Sequence, residues 1–166
     1  MNWSKIEEFA DYSVSDEGLI RSDRYERFRN ISRTAQGAAK VTLFKEDQAF
    51  TRSVALLVAT AFVWNDYDPA IFNTPIHLNN DLMDNRACNL AWRPRWFALK
   101  YQKQYYSEHY RFATTRVVDI ETGICYRNLV EPCQEFGVLY VDVLRACTSG
   151  GYVFPTWKEF VYGPKD

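Results

Sequence analysis

At 166 residues, 47% apolar and 25% charged, the chain is long enough for one ordinary domain or two or three small modules around a real core. This balance excludes a disordered polypeptide, and the longest apolar run, near Val54 to Trp64, is too short and interrupted to span a bilayer. A formal net charge of −1 excludes a uniformly basic surface, so any affinity for phosphates must be concentrated locally.

The start, MNWSKIEEF, lacks a basic stretch leading into an apolar one, so no secretory leader and an intracellular protein are expected. Residues 2 to 22 predict a β-hairpin: an extended Tyr-Ser-Val-Ser, a turn at Asp16-Glu17-Gly18, and a return through Leu-Ile-Arg-Ser. Residues 23 to 38 are polar, with a turn containing Gly37. Val41 and Leu43 alternate before a Glu46-Asp47 turn, and Phe50 to Ser53 return as the partner strand. A buried helix is expected over 54 to 63, VALLVATAFV, stopped by Asp66, Asp68 and Pro69. Asn79 to Asn85 reads as a polar loop, and ACNLAW as the start of a second helix or a turn onto one. Pro94 restricts where that helix continues. Residues 95 to 113 read as a helix or extended arm. Beyond it, Val117, Val118 and Ile120 lead into a Glu-Thr-Gly turn and return through Ile124 to Tyr126. LVEPCQEFG and VLYVDVLRACTSGG then predict two short helices, each closed by glycine, in a helix-turn-helix pattern.

Cys88, Cys125, Cys133 and Cys147 form no CxxC pair and have no neighbouring histidine at metal-ligand spacing. They are expected as reduced, mostly buried thiols. Arg93, Arg95, Lys100, Lys103, Arg111 and Arg116 crowd one segment against the single acid Glu108, which leaves the rest of the chain net acidic. Seven aromatic residues are interleaved with them. Two readings stay open: the cations contact phosphates, or the aromatics pack while the charges face solvent. His109 lies in this segment with no partner visible in sequence.

Three stretches in order resemble one family, the phage and intron-encoded HNH homing endonucleases. Trp3, Ile6, Tyr12, Val14, Ser15, Gly18, Arg21 and Ser22 match the modular domain that commonly opens such proteins. KVTLFKEDQAFTRSVALLVATAF is similar to the strands and helix that follow, with Ala55-Leu56 where the family usually carries His-Arg. IHLNNDLMDNRACNLAW resembles the HNH core, with Asn80 in place of the usual turn glycine. The last 45 or so residues resemble the intron-encoded nuclease repeat, whose start carries V-x-D-x-x-T-G.

The resemblance implies an α+β fold of small modules: a ββα-metal core of the His-Me finger type, then a hairpin plus helix-turn-helix. The corresponding segments are 1–50 (β-rich modular), 51–98 (degenerate HNH core), 99–116 (basic aromatic linker) and 117–166 (nuclease repeat). In the family, two protein ligands hold one divalent cation and a histidine acts as general base. His77 matches that base. The ligand position before it is Ile76 and the second aligns with Ala98, neither of which offers a donor atom, whereas Asn85, Asn89 and Trp92 of the scaffold are kept. Asp81 or Asp84 are weak substitutes from a rearranged loop, no metal or cofactor is expected, and Mg²⁺ enters only if the nuclease is active.

The leading expectation is therefore a catalytically inactive relative reused for binding DNA through the basic linker. Its implied origin is a phage, and its location the infected bacterial cytoplasm or a virion. The alternatives are a protein-interaction or structural factor with a phage or host protein partner, such as a polymerase or virion component, and an active metal-dependent nickase with remodelled ligands. No membrane partner is expected.

Overall fold

The computed structural model describes residues 1–106 and 114–164, and its architecture is α+β. Two compact units emerge: Met1–His77 with Asp81–Arg95, and Leu78–Asn80 with Trp96–Asp166. Segment boundaries at 50/51 and 98/99 fall inside a strand and a helix, respectively.

The first unit opens with an antiparallel sheet of β1 (Trp3–Ile6), β2 (Phe9–Ser15), β3 (Ile20–Ser22) and β4 (Arg27–Phe28), in sequence order. The expected hairpin is its centre, pairing Tyr12 with Ser22 and Val14 with Ile20. Tyr12 and Val14 enter the core, and the two serines between and after them are buried because each is hydrogen-bonded. Ser13 Oγ donates to Asp23 at 2.6 Å, and Ser15 Oγ accepts from the Leu19 amide at 2.9 Å. Trp3–Ile6 and Arg27–Phe28 add strands that propensity did not mark.

β5 (Ile31–Arg33), β6 (Ala39–Lys45) and β7 (Gln48–Ser53) form a second sheet with β6 in the middle. Glu46 and Asp47 both take positive φ, 51° and 60°, which is what a two-residue type I′ turn requires. The chain enters α1 (Val54–Phe62) directly from β7. Ser53 caps it by accepting from the Leu56 amide at 3.3 Å, and Val54, Val58 and Ala59 are fully buried against the strands.

A third pair, β8 (Thr74–His77) with β9 (Leu90–Arg93), settles the two readings of ACNLAW: it begins as a turn and continues as a strand, with the helix starting only at Arg95. Only Ala87–Asn89 turns, as one 3₁₀ turn. Strand pairing satisfies the backbone beyond it, Leu90 is buried, and Trp92 Nε1 donates to the Val63 carbonyl at 3.0 Å. Tertiary contacts thus override local helix propensity.

α2 (Arg95–Gln104) begins just after Pro94 and belongs to the second unit from Trp96 on. Its Phe97 and Tyr101 are buried, at 0% and 1% exposure. Gln104 accepts from the Tyr140 amide at 2.8 Å, so this half of the expected linker is docked helix. β10 (Val117–Asp119) and β11 (Cys125–Tyr126) make the expected hairpin, but β12 (Tyr152–Val153) and β13 (Lys158–Tyr162) return to extend it, in the order β11-β10-β13-β12. Between them lie α3 (Val130–Phe136) and α4 (Tyr140–Ser149). Gly137 ends α3 in the left-handed conformation, φ 60°, and Asn128 Oδ1 accepts the Val130 and Glu131 amides at its start. Val117, Cys133, Val138, Val143, Val153 and Phe160 form the core beneath them.

Of the cysteines, Cys133 is buried and Cys147 partly so, whereas Cys88 and Cys125 are exposed, and all four are free. The expectation of mostly buried thiols thus holds in full only for Cys133. No helix among the described residues is long and apolar enough to cross a membrane.

Candidate active site and nucleic-acid interface

β8 delivers Ile76 and His77 to the foot of the loop that returns through β9. Ile76 pairs with Ala91, is 4% exposed, and carries no donor atom. His77 is 8% exposed and lies 3.1 Å from Asn85 through Nε2 and Oδ1. Asn85 Nδ2 is committed to the Met83 carbonyl at 3.0 Å, which turns Oδ1 toward the imidazole. Nε2 therefore donates, and Nδ1 is the acceptor of the neutral ring. Burial lowers the His77 pKa below the ordinary imidazole value, against opposing pulls from the Asn85 hydrogen bond and the charges of Asp81 and Asp84.

The loop is braced from several sides. Asn89 Nδ2 donates to the Asp84 carbonyl at 2.8 Å, and Asp84 grips Arg86 through both oxygens, at 2.7 and 2.6 Å. Asp81 Oδ1 accepts the Met83 amide at 2.9 Å. Asn80, where the resembling family carries glycine, has φ 61°; asparagine is the side chain that tolerates this conformation best after glycine. The turn of the first hairpin buttresses Asn85 directly. A Cβ on Gly18, φ 84°, would stand 3.0 Å from Asn85 Cβ and 3.2 Å from its carbonyl oxygen, and the Asp16 carbonyl accepts the Ala87 amide at 2.8 Å. Gly18→Ala is expected to cost about 1–3 kcal/mol, from the left-handed backbone and the contact together. Urea denaturation checks it.

A divalent cation, as the family uses, does not fit the donors this site offers. Ile76, at the position that the resemblance gives to the first ligand, is buried hydrocarbon. Asp84 is engaged by Arg86 and Asp81 by the loop backbone. Among the described residues, no three His, Cys, Asp or Glu side chains come together as a metal site.

The basic positions divide. Arg95, Lys100 and Lys103 are exposed on α2, and Arg116 is exposed before β10. Arg93, by contrast, is 6% exposed and its guanidinium donates to the Trp92 carbonyl at 2.6 Å, at the end of β9. Arg111 and His109 lie outside the described residues. The sequence reading missed the exposed aromatics Trp157 and Tyr152 on the last hairpin. Only their presence beside Gly150-Gly151 and Pro155 could have marked them as a turn.

Over 100% of both chains, the structure matches that of the HNH homing endonuclease I-HmuI, solved in a study of its DNA binding and cleavage, with a TM-score of 0.55 and 20% identity. The fold is HNH homing-endonuclease-like. A stretch of 90 residues is also 31% identical to an uncharacterized HNH endonuclease of Acanthamoeba polyphaga mimivirus, covering 54% of this chain and 26% of that protein. This HNH homing-endonuclease-like chain thus spans about a quarter of the viral relative's length. No protein-family model matches it.

Proposed function

We propose that the protein binds DNA without cutting it, using an HNH scaffold whose catalytic site no longer holds a metal. The observation that carries this reading is Ile76, an apolar side chain buried at 4% exposure beside His77, where the resembling family needs an oxygen or nitrogen ligand. One neutral, buried imidazole cannot replace two ligands for a hard cation. His77 and Asn85 instead form a structural hydrogen bond that fixes the loop. DNA as the partner draws support from the fold, whose solved counterpart binds DNA, and from α2, which carries Arg95, Lys100 and Lys103 and no acid.

If these three cations each neutralise a phosphate, affinity for duplex DNA falls about fortyfold for a fourfold rise in salt. Arg95→Ala/Lys100→Ala/Lys103→Ala flattens that dependence by about three log units per log unit of salt. Fluorescence anisotropy at two salt concentrations reads both. A salt-independent affinity, or no affinity at all, would move the protein to the protein-partner class.

The structural role of His77 predicts a pH effect. Its folded pKa lies below its unfolded value of about 6.5, so folded and unfolded states bind protons alike above that value. As pH falls through about 6.5 the unfolded state gains a proton that the folded state does not take up, and stability declines until the folded pKa is passed. His77→Gln is expected to lose this acid limb, which urea titrations between pH 7.5 and 5 would show.

A further inference from the structure

The hairpin between β12 and β13 carries a backbone feature that its own sequence does not favour. Trp157 sits at φ 56°, a conformation that costs a bulky L-residue about 1–2 kcal/mol. Its amide donates to the Val153 carbonyl at 2.9 Å, and Thr156 Oγ1 donates to the same carbonyl at 3.2 Å, so the turn is well defined. Core packing does not compensate, because the Trp157 side chain is 65% exposed. The ring makes an edge contact with Phe154, at 6.5 Å and 86°. Phe154 in turn stacks on Trp96 of α2, at 5.9 Å and 24°, and Trp96 is 52% exposed. Lys100 places its ammonium 5.2 Å from the Trp96 ring centre, one helical turn further along α2.

We infer that Trp157, Phe154 and Trp96, with Lys100, form a stacking platform for an unpaired nucleobase of a DNA strand, a ligand class that the duplex-binding reading does not include. The inference rests on that reading for its polyanion. Exposed aromatic faces beside cations suit a single strand, which offers a π-face and a phosphate at every nucleotide. Protein interfaces are depleted in lysine, whereas here the Lys100 ammonium lies over the exposed Trp96 ring at one end of the cluster and Lys103 follows on the same acid-free helix, cations that suit a phosphate backbone. The strained placement of Trp157 holds a large ring in solvent, which is useful to a stacking surface and otherwise only costs stability.

The test is anisotropy with a labelled oligo-dT strand beside a fully paired duplex, using the full chain and the variants Trp157→Gly, Trp157→Phe and Trp96→Ala. Stacking of one base predicts that Trp157→Gly and Trp96→Ala each weaken oligo-dT binding by about fivefold to a hundredfold, that Trp157→Phe loses less, and that duplex affinity changes by under about threefold. Trp157→Gly should melt no lower than the unmodified protein, since glycine accepts this φ freely, so weaker binding cannot be blamed on unfolding. Oligo-dT affinity unchanged in both truncations, or duplex binding with no oligo-dT binding by the unmodified protein, overturns the platform while leaving the duplex reading intact. Failure to bind either DNA overturns the DNA-binding reading itself.

Discussion

Asp119→Ala is expected to destabilise the second unit by about 3–5 kcal/mol, the range for removing one partner of a buried ion pair. The Asp119 side chain is fully buried, and Lys158 Nζ reaches it at 2.7 Å with only 15% of its own side chain exposed. Oδ1 also accepts the Glu121 amide at 3.0 Å, while the Asp119 carbonyl accepts the Gly123 amide at 2.8 Å. Burial by itself would raise the pKa of this carboxyl, but the hydrogen bonds from Lys158, the Glu121 amide and the Thr122 hydroxyl outweigh it and hold the pKa below the usual carboxylate value. The stabilisation is therefore complete above the unfolded carboxyl pKa and is lost as pH falls through the folded one. The V-x-D-x-x-T-G resemblance is explained by these bonds: the aspartate closes the turn, the threonine supports it and Gly123 supplies φ 71°. The double variant Asp119→Ala/Lys158→Ala should cost less than the two single variants summed, because neither charge is then left buried alone. Urea unfolding of the four proteins measures the cycle, and additivity would show that the pair does not act as one.

Phe97→Ala is the other large effect, about 3–5 kcal/mol. Phe97 has no exposed surface and lies 6.3 Å from Tyr101 at 17°, with Trp96 and Phe154 also against it. The cavity would loosen the buried side of α2, and with it the side that displays Lys100 and Lys103. Tyr101 has a second role. Its hydroxyl stands 3.0 Å from the Cys133 carbonyl and 2.8 Å from the carbonyl of Leu78, and the Tyr105 hydroxyl lies 2.9 Å from that same Leu78 oxygen. These bonds hold Leu78, which directly follows His77 in the sequence, within the second unit. Phe97→Ala is accordingly expected to weaken DNA binding as well as stability, and unfolding curves beside anisotropy would separate the two.

Much of this was legible from local chemistry. The Tyr-Ser-Val-Ser stretch announced a strand, and both its serines proved to be hydrogen-bonded, Ser15 across the turn to the Leu19 amide and Ser13 to Asp23 beyond β3. The apolar density of 54 to 63 marked α1, and Gly137 the end of α3. What was not legible depends on partners distant in sequence. ACNLAW read as a helix or a turn onto one, and its strand was missed because nothing in it reveals that Thr74–His77 pairs alongside. Arg93 looked like a surface cation because its burial is set by packing in the folded unit, not by its neighbours in sequence. The fourth strand of the C-terminal sheet escaped notice because Tyr152–Val153 is only two residues long and borrows its register from Lys158 and Glu159. Trp157 was invisible as a special residue because a positive φ is imposed by the turn around it.

The central claim is binding without cleavage, and supercoiled plasmid incubated with the protein in Mg²⁺ or Mn²⁺ tests it most directly, with bound DNA measured in the same mixtures. The account predicts a salt-sensitive complex and no nicking above the level of buffer alone. Metal-dependent nicking that disappears in His77→Ala would contradict it, because a cation would then be held beside His77 despite the buried Ile76.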